Sequence, residues 1–348
     1  MKPYIPVIIS ALLILSLAGC NKSPSAEPNI VDTTPNIANK PIAISNASTT
    51  IDTSIPDTAT VQYYYKNLFG DNYWGGGSPS IDYTNAIEFL TAFIDNSPIK
   101  NSAYSWTIEG LPNGPHHFGI QLAKPNNQST AQLETYYLIN AHIACALAHR
   151  KIGNDKKFIK YLTAASSKHP NLATLNLLWL YYDEKESYKS AKAIAKRMIT
   201  IDPNCDLGYL RMAQTANAQQ DYDNAIAQAT KALKCSVKLP YNHYDIPYYV
   251  RAEAYLGKGK LKEAYADCQK YNSIRYERNY CTCGEYINYQ LIQEVCRNRP
   301  LLIQLLKNNN IPDKEIKQIL EDLQQAENTN IQSTDMYDTY TNIKTHIL

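Results

Sequence analysis

The chain has 348 residues, enough for one large domain or two ordinary ones with a sizeable core. Hydrophobic residues make up 44% of it and charged residues 19%, with a formal net charge of +2, which is typical of a globular protein. Because a general nucleic-acid binder normally has a concentrated basic face, this balance of charge argues against nucleic acid as the partner.

Residues 1–19 have the pattern of an export signal. Lys2 provides a basic start, residues 5–17 form an apolar run, and small residues stand directly before Cys20. A bilayer-spanning helix needs ~20 apolar residues, so the short run predicts a cleaved signal peptide. The segment resembles a bacterial lipoprotein signal, which implies that Cys20 is diacylated, then N-acylated, and becomes the first residue of the mature chain. An ordinary signal peptide and an uncleaved anchor remain open alternatives.

The lipoprotein resemblance also implies a location. More than one acyl chain makes attachment stable, because each buried methylene contributes ~0.8 kcal/mol, so lipid alone is expected to hold the protein on a membrane. Gram-negative lipoproteins kept in the inner membrane commonly have an aspartate after the lipidated cysteine, whereas this chain has Asn21. We therefore expect an outer-membrane protein that faces the periplasm. Residues 20–60, rich in Ser, Thr, Pro, Asn and Ala, predict the lipidated cysteine followed by a disordered linker.

Residues 61–127 predict an amino-terminal region that contains a helix and a β-hairpin. Apolar side chains recur at helical spacing over residues 81–94. Alternating apolar residues at 104–108 and 118–122 flank a Pro-Asn-Gly turn, which is the pattern of a small hairpin.

A helix-pair pattern recurs between residues 172 and 271. Ala191 and Ala225 lie 34 positions apart (225 − 191) in similar local sequence, and Ala264 has the corresponding place in a third copy. An alanine where two helices cross lets their backbones approach closely. The pattern resembles the tetratricopeptide repeat family, whose period is 34 residues. The resemblance implies an α-solenoid of antiparallel helix pairs.

The whole chain thus predicts a mainly α fold. Tetratricopeptide-like repeats are expected at 172–272, after a divergent helix pair of the same kind at 128–171. Helices within 273–325 are expected to cap the exposed end of the array, as terminal units of a solenoid must. Residues 326–348, rich in Asn, Thr, Gln and Asp, predict a flexible tail.

The repeat resemblance also implies a binding groove, because the first helix of each pair lines the concave face of such a solenoid. Apolar side chains with interspersed amides would suit a helical or extended segment of a protein partner. The residues that the family pattern turns towards this face are Asn140, Ile143, Leu147, Asn176, Leu180, Asp183, Leu210, Gln214, Asn217, Tyr249 and Glu253. The alternative is that they contact another part of the chain, such as its carboxyl-terminal tail.

The eight cysteines leave an odd number of thiols once Cys20 is lipidated. Cys205 and Cys235 flank the two helices of the second repeat at the same end, which predicts that they form a disulfide in an exported protein. Cys281 and Cys283 resemble redox or metal motifs only loosely, because one residue separates them.

The histidines do not predict a metal site. His116 and His117 are adjacent at the hairpin turn, and neighbouring side chains on a strand point to opposite faces. His142 and His149 fall on packing positions of the divergent pair, which favours two core histidines. No metal and no other cofactor are predicted.

These patterns together predict a membrane-tethered periplasmic scaffold or adaptor that binds a segment of a protein partner. No catalytic constellation appears in a supporting context, so an enzyme is not predicted. Two other hypotheses remain open. One is an immunity lipoprotein that neutralises a periplasmic toxin, which a neighbouring gene for an exported effector would favour. The other is a thiol-redox or metal-binding protein that uses the carboxyl-terminal cysteines.

Overall fold

The structure is a computed structural model. It describes residues 57–74, 81–102, 104–110, 120–125, 129–238, 245–276, 291–293, 295–328 and 334–348. The chain divides into two units, Met1–Thr60 and Val61–Leu348. Several predicted features lie outside the described residues: the lipoprotein signal with Cys20, the paired histidines at 116 and 117, and Cys281 and Cys283.

The described residues are mainly helical, as the sequence predicts. The helices are α1 (Thr58–Trp74), α2 (Tyr83–Asn96), α3 (Thr130–Lys151), α4 (Asp155–Lys168), α5 (Leu172–Glu184), α6 (Tyr188–Ile201), α7 (Asp206–Ala218), α8 (Tyr222–Lys234), α9 (Ile246–Gly257), α10 (Leu261–Tyr276), α11 (Arg299–Asn308), α12 (Asp313–Asn328) and α13 (Thr334–Ile347). Two short strands, β1 (Ile108–Gly110) and β2 (Ile120–Leu122), lie between α2 and α3. Within the described parts of the chain, every helix is too short or too polar to span a membrane.

The amino-terminal region packs into the same core as the first helix pairs. β1 and β2 pair antiparallel, with Ile108 opposite Leu122. The residues between the strands lie outside the described ranges, so the hairpin remains a prediction. α2 begins at Asp82, whose carboxylate accepts hydrogen bonds from the backbone N–H groups of Thr84 at 2.9 Å and Asn85 at 3.2 Å. α2 packs along α3, and β2 contacts α5.

Four helix pairs follow, and the same tight turn joins the two helices of each pair. The turns occupy residues 152–154, 185–187, 219–221 and 258–260. The central residue of each turn has a positive φ: 74° at Gly153, 53° at Glu186, 60° at Gln220 and 72° at Gly259. The next residue donates its backbone N–H back into the first helix, as in the 2.9 Å bond from Asp221 to the carbonyl oxygen of Ala216. This left-handed ending satisfies carbonyl groups that a helix end would otherwise leave unpaired.

The alanines of the repeated pattern lie where the helices pack. Ala191, Ala225 and Ala264 are all fully buried. A closer approach occurs at Gly208 on α7, where an added Cβ would stand 2.9 Å from the backbone nitrogen of Ile199 on α6. The absence of a side chain at this position therefore sets the separation of α6 and α7.

The carboxyl-terminal part corrects one prediction. Residues 334–347 were predicted to belong to a flexible tail, but they form α13, which packs against α11 and α12. Tyr340, Ile343 and Ile347 are buried on one side of this helix. The polar composition of residues 326–348 obscured an apolar stripe at helical spacing.

The left-handed turns predict that a glycine will stabilise the fold at Gln220. The residue is exposed, and its φ of 60° costs a residue with a Cβ about 1–2 kcal/mol. Since glycine also loses more backbone entropy on folding, we expect Gln220→Gly to raise the free energy of unfolding by ~0.5–1 kcal/mol. Urea and thermal unfolding measure this change. The control is Gln219→Gly, at a neighbouring residue whose φ is −87°, which should lower stability. Equal destabilisation by both variants would contradict the prediction.

Candidate functional site

The half-buried polar surface of the helix array lies on the first helices of three consecutive pairs. We call it the α5–α7–α9 face and define it by six residues that the sequence assigns to the groove: Leu180, Asp183, Gln214, Asn217, Tyr249 and Glu253. Each of the six is half-buried. Side chains four or three positions apart on a helix share one side, so each helix contributes a short stripe to this face.

The other five predicted groove residues do not form a surface. Asn140, Ile143, Leu147, Asn176 and Leu210 are buried, with at most 1% of their surface exposed. The hydrophobic core that contains the apolar members also contains Val61, Leu90 and Ile120 of the amino-terminal region. The repeat pattern predicted the direction in which these side chains point, but the first pairs are covered by the chain itself. Their assignment as partner-contact residues is therefore corrected.

Arg211 on α7 lies beneath this face and connects it to α5. It is 4% exposed. Its Nε donates to Asn176 Oδ1 at 2.9 Å and its Nη1 donates to Gln214 Oε1 at 2.8 Å. The guanidinium lies 4.5 Å from the ring centroid of Trp179, a cation–π distance. Trp179 Nε1 in turn donates to Thr215 Oγ1 at 3.1 Å. These contacts fix α5 against α7 and hold Gln214 in place.

A second cluster joins α7 to α9. Asn217 Nδ2 donates to the backbone carbonyl of Val250 at 2.8 Å and to Glu253 Oε2 at 3.3 Å. The Tyr249 hydroxyl, one helical turn before Glu253, also forms a hydrogen bond with this carboxylate. Burial raises the pKa of Tyr249, so its hydroxyl keeps its proton and serves as a donor.

Two carboxylates on the face, Asp183 and Glu253, form no ion pair within the described residues. Burial raises the pKa of Glu253 to about 7, although hydrogen bonds from Tyr249 and Asn217 act in the opposite direction. Burial likewise raises the pKa of Asp183 to about 6, which the charge of Arg211 only partly offsets. A carboxylate on an open surface would be fully hydrated. The raised pKa values therefore indicate recessed carboxylates whose negative charge is poorly solvated.

The two cysteines predicted to form a disulfide are both free thiols in the structure. The two segments do meet at one end of the helix pair, since Cys205 forms an isolated β-bridge with Val237. The Cys235 thiol instead donates to the carbonyl oxygen of Lys231 at 3.3 Å. Burial raises the pKa of Cys205 to about 12, so its reactive thiolate form is rare at neutral pH. The predicted bridge is therefore corrected for this structure.

The histidines of α3 are core residues, as their positions in the sequence predict. His142 is 2% exposed and its Nδ1 lies 2.8 Å from the carbonyl oxygen of Leu138, while His149 is 8% exposed and stacks on Tyr161. Burial lowers the pKa of both imidazoles, which favours the neutral form. Among the described residues, no group of three or more His, Cys, Asp or Glu side chains could hold a metal ion.

Sequence reasoning missed the residues that support the face from below. Neither Arg211 nor Trp179 was among the candidate residues. The available signal was one arginine between Leu210 and Met212, in a helix whose neighbouring positions are apolar. A lone buried charge of this kind needs hydrogen-bond partners nearby.

Comparisons with known proteins assign no family. No protein-family model matches the chain, and no curated protein matches it.

The raised pKa of Glu253 predicts how the free energy of unfolding depends on pH. The folded state binds this proton more tightly than the unfolded chain, so the free energy of unfolding falls as pH rises from about 4.5 to about 7. Glu253→Gln removes this loss. We expect the variant to gain stability over the wild type as pH rises, on the order of 1–3 kcal/mol by pH 8, and little at pH 4.5. Urea unfolding between pH 4.5 and 8 measures the difference. Glu88→Gln, at an exposed position on α2, is the control, and its stability difference from the wild type should not change with pH. If the stability difference of Glu253→Gln is also independent of pH, Glu253 is not desolvated.

Proposed function

We propose that this protein is a lipid-anchored scaffold or adaptor of the bacterial outer membrane that binds a segment of a protein partner in the periplasm. In this proposal the four helix pairs form a tetratricopeptide-like α-solenoid. The α5–α7–α9 face is its binding groove, and the residues from β1 to β2 form a small hairpin at its amino-terminal end. The acylated Cys20 and the linker that follows hold the groove close to the membrane, which raises its effective concentration for envelope partners.

The half-buried α5–α7–α9 face is the observation on which this proposal depends. Its six residues come from three different helices, yet turns of the same conformation align those helices. Leu180 provides an apolar contact beside polar groups, which is the composition of a peptide-binding groove. Asp183 and Glu253 are recessed carboxylates that a folded core would normally pair with a cation.

The thiol-redox alternative receives little support from the described cysteines. Burial raises the pKa of both Cys268 and Cys296 to about 12. A reactive cysteine has a lowered pKa and access to solvent, whereas these two thiols are buried.

The binding proposal predicts a partner adduct at one specific place. A photo-crosslinking amino acid at Gln214, in cells that make the full chain, should give a discrete adduct with an envelope protein. Leu180→Glu should abolish the adduct by placing a charge at the apolar contact of the face, whereas Ile152→Glu should not, since Ile152 is 53% exposed in a turn away from it. Mass analysis of the adducts is the measurement. An adduct of equal yield in both variants, or the same adduct from a crosslinker at Gln219, would contradict binding at this face.

The lipid anchor makes a separate prediction. Cys20→Ser removes the only thiol that a lipoprotein signal would acylate, so the variant should lose incorporation of a labelled fatty acid. The wild-type product should begin at Cys20 and fractionate with the outer membrane. Mass analysis of its amino-terminal peptide tests both points, and Asn21→Ser is the neighbouring control. A mature product that begins elsewhere, or unchanged labelling of Cys20→Ser, would contradict the anchor.

A further inference from the structure

We propose that the segment bound by the α5–α7–α9 face has two cationic side chains, a lysine or an arginine placed at Asp183 and another at Glu253. This inference rests on the proposed function and names the chemistry of its partner. It assigns the specificity of the face to charge rather than to the apolar contact at Leu180.

The first step concerns the two carboxylates. Within the described residues, neither Asp183 nor Glu253 forms an ion pair with a lysine, arginine or histidine. The hydrogen-bond partners of Glu253 are the neutral groups of Asn217 and Tyr249. A recessed anion without a counter-ion is costly, and a bound cation would offset that cost.

The second step concerns amide atoms that have no hydrogen-bond partner in the described chain. Asn176 is fully buried, and its Nδ2 lacks an acceptor although its Oδ1 accepts from Arg211. Asn217 Oδ1 lacks a donor although its Nδ2 contacts Glu253. Both atoms are shielded from solvent beneath the face, so they are not contact points for a ligand. They show by geometry that water is excluded next to Arg211 and Glu253. A carboxylate beside such dry groups is poorly hydrated, which favours a bound cation as its partner.

The third step gives the spacing of the two charges. Asp183 and Asn217 each lie three positions before the left-handed residue of their turn (186 − 183 and 220 − 217), so they stand at the same level on α5 and α7. Glu253 on α9 contacts Asn217 directly. The axes of neighbouring packed helices are about 8–10 Å apart, so the two steps from α5 to α7 and from α7 to α9 span on the order of 16–20 Å. An extended chain rises ~3.3 Å per residue, which places the two cationic residues about five or six positions apart.

Competing ligands are less suited to the face. An acidic segment would meet two carboxylates and be repelled. A metal ion would need several ligands at one point, and the described residues contain no such group. The positive charge of Arg211 does act on Asp183, but it offsets the effect of burial only in part, so the pKa of Asp183 stays raised at about 6.

A random twelve-residue peptide library, displayed on phage and selected against the full chain in detergent, tests the inference. We expect the enriched peptides to contain two lysines or arginines about five or six positions apart. A synthetic copy of the best peptide should bind at least tenfold more weakly to the Asp183→Asn, Glu253→Gln double variant. The Glu88→Gln, Glu134→Gln double variant removes two exposed carboxylates elsewhere and should bind like the wild type.

The outcomes separate this inference from the proposed function. One outcome is that peptides lose binding to Leu180→Glu but bind the Asp183→Asn, Glu253→Gln double variant as tightly as the wild type. That result would overturn the charge assignment and would still support the α5–α7–α9 face as the binding groove. Enriched peptides without a basic pair would also overturn it. Failure to enrich any peptide whose binding depends on Leu180, Asp183 or Glu253 would overturn both proposals. Circular dichroism of each variant confirms that the helices remain folded.

Discussion

The structure depends on one backbone constraint, the left-handed residue that ends the first helix of each pair. At Gly153, Glu186, Gln220 and Gly259 the chain takes the same positive φ and reverses within three residues. Only glycine adopts this conformation without cost, yet two of the four positions carry long polar side chains. Packing between the helices must therefore compensate for the strain. Because the turns are equivalent, each pair presents the same side of its first helix.

That equivalence explains why the polar stripes of α5, α7 and α9 meet. Arg211 fixes α5 against α7 through Asn176 and Trp179, and Asn217 connects α7 to the backbone of α9. The contacts that align the helices also leave Asp183 and Glu253 recessed, and neither forms an ion pair within the described residues. Burial raises the pKa of both carboxyls, so ionising them at neutral pH lowers the stability of the fold. Groups that lower the stability of the fold but are held in a fixed position are common at binding sites.

The helices of the repeats could be predicted closely from sequence because their signals are local. The spacing of Ala191, Ala225 and Ala264 indicates the pairs, and all three alanines are fully buried in the structure. Two features required knowledge of distant neighbours. The close approach at Gly208 depends on Ile199 of the preceding helix. The helix at 334–347 packs against α11 and α12 and buries Tyr340, Ile343 and Ile347, while most of its other residues are polar.

Distant neighbours in the sequence also explain why five of the predicted groove residues are buried. A repeat pattern gives the direction of a side chain, but whether that side chain is exposed depends on what the rest of the chain places against it. Asn140 illustrates the difference: the pattern turns it towards the open face, yet it is fully buried and its amide atoms lack partners within the described residues. The amino-terminal region packs into the core of the first two pairs, so the half-buried members of the predicted set begin only at Leu180 and Asp183. Within the described chain, the predicted positions that keep contact with solvent therefore lie on α5, α7 and α9, because those helices are farther along the array from the amino-terminal region.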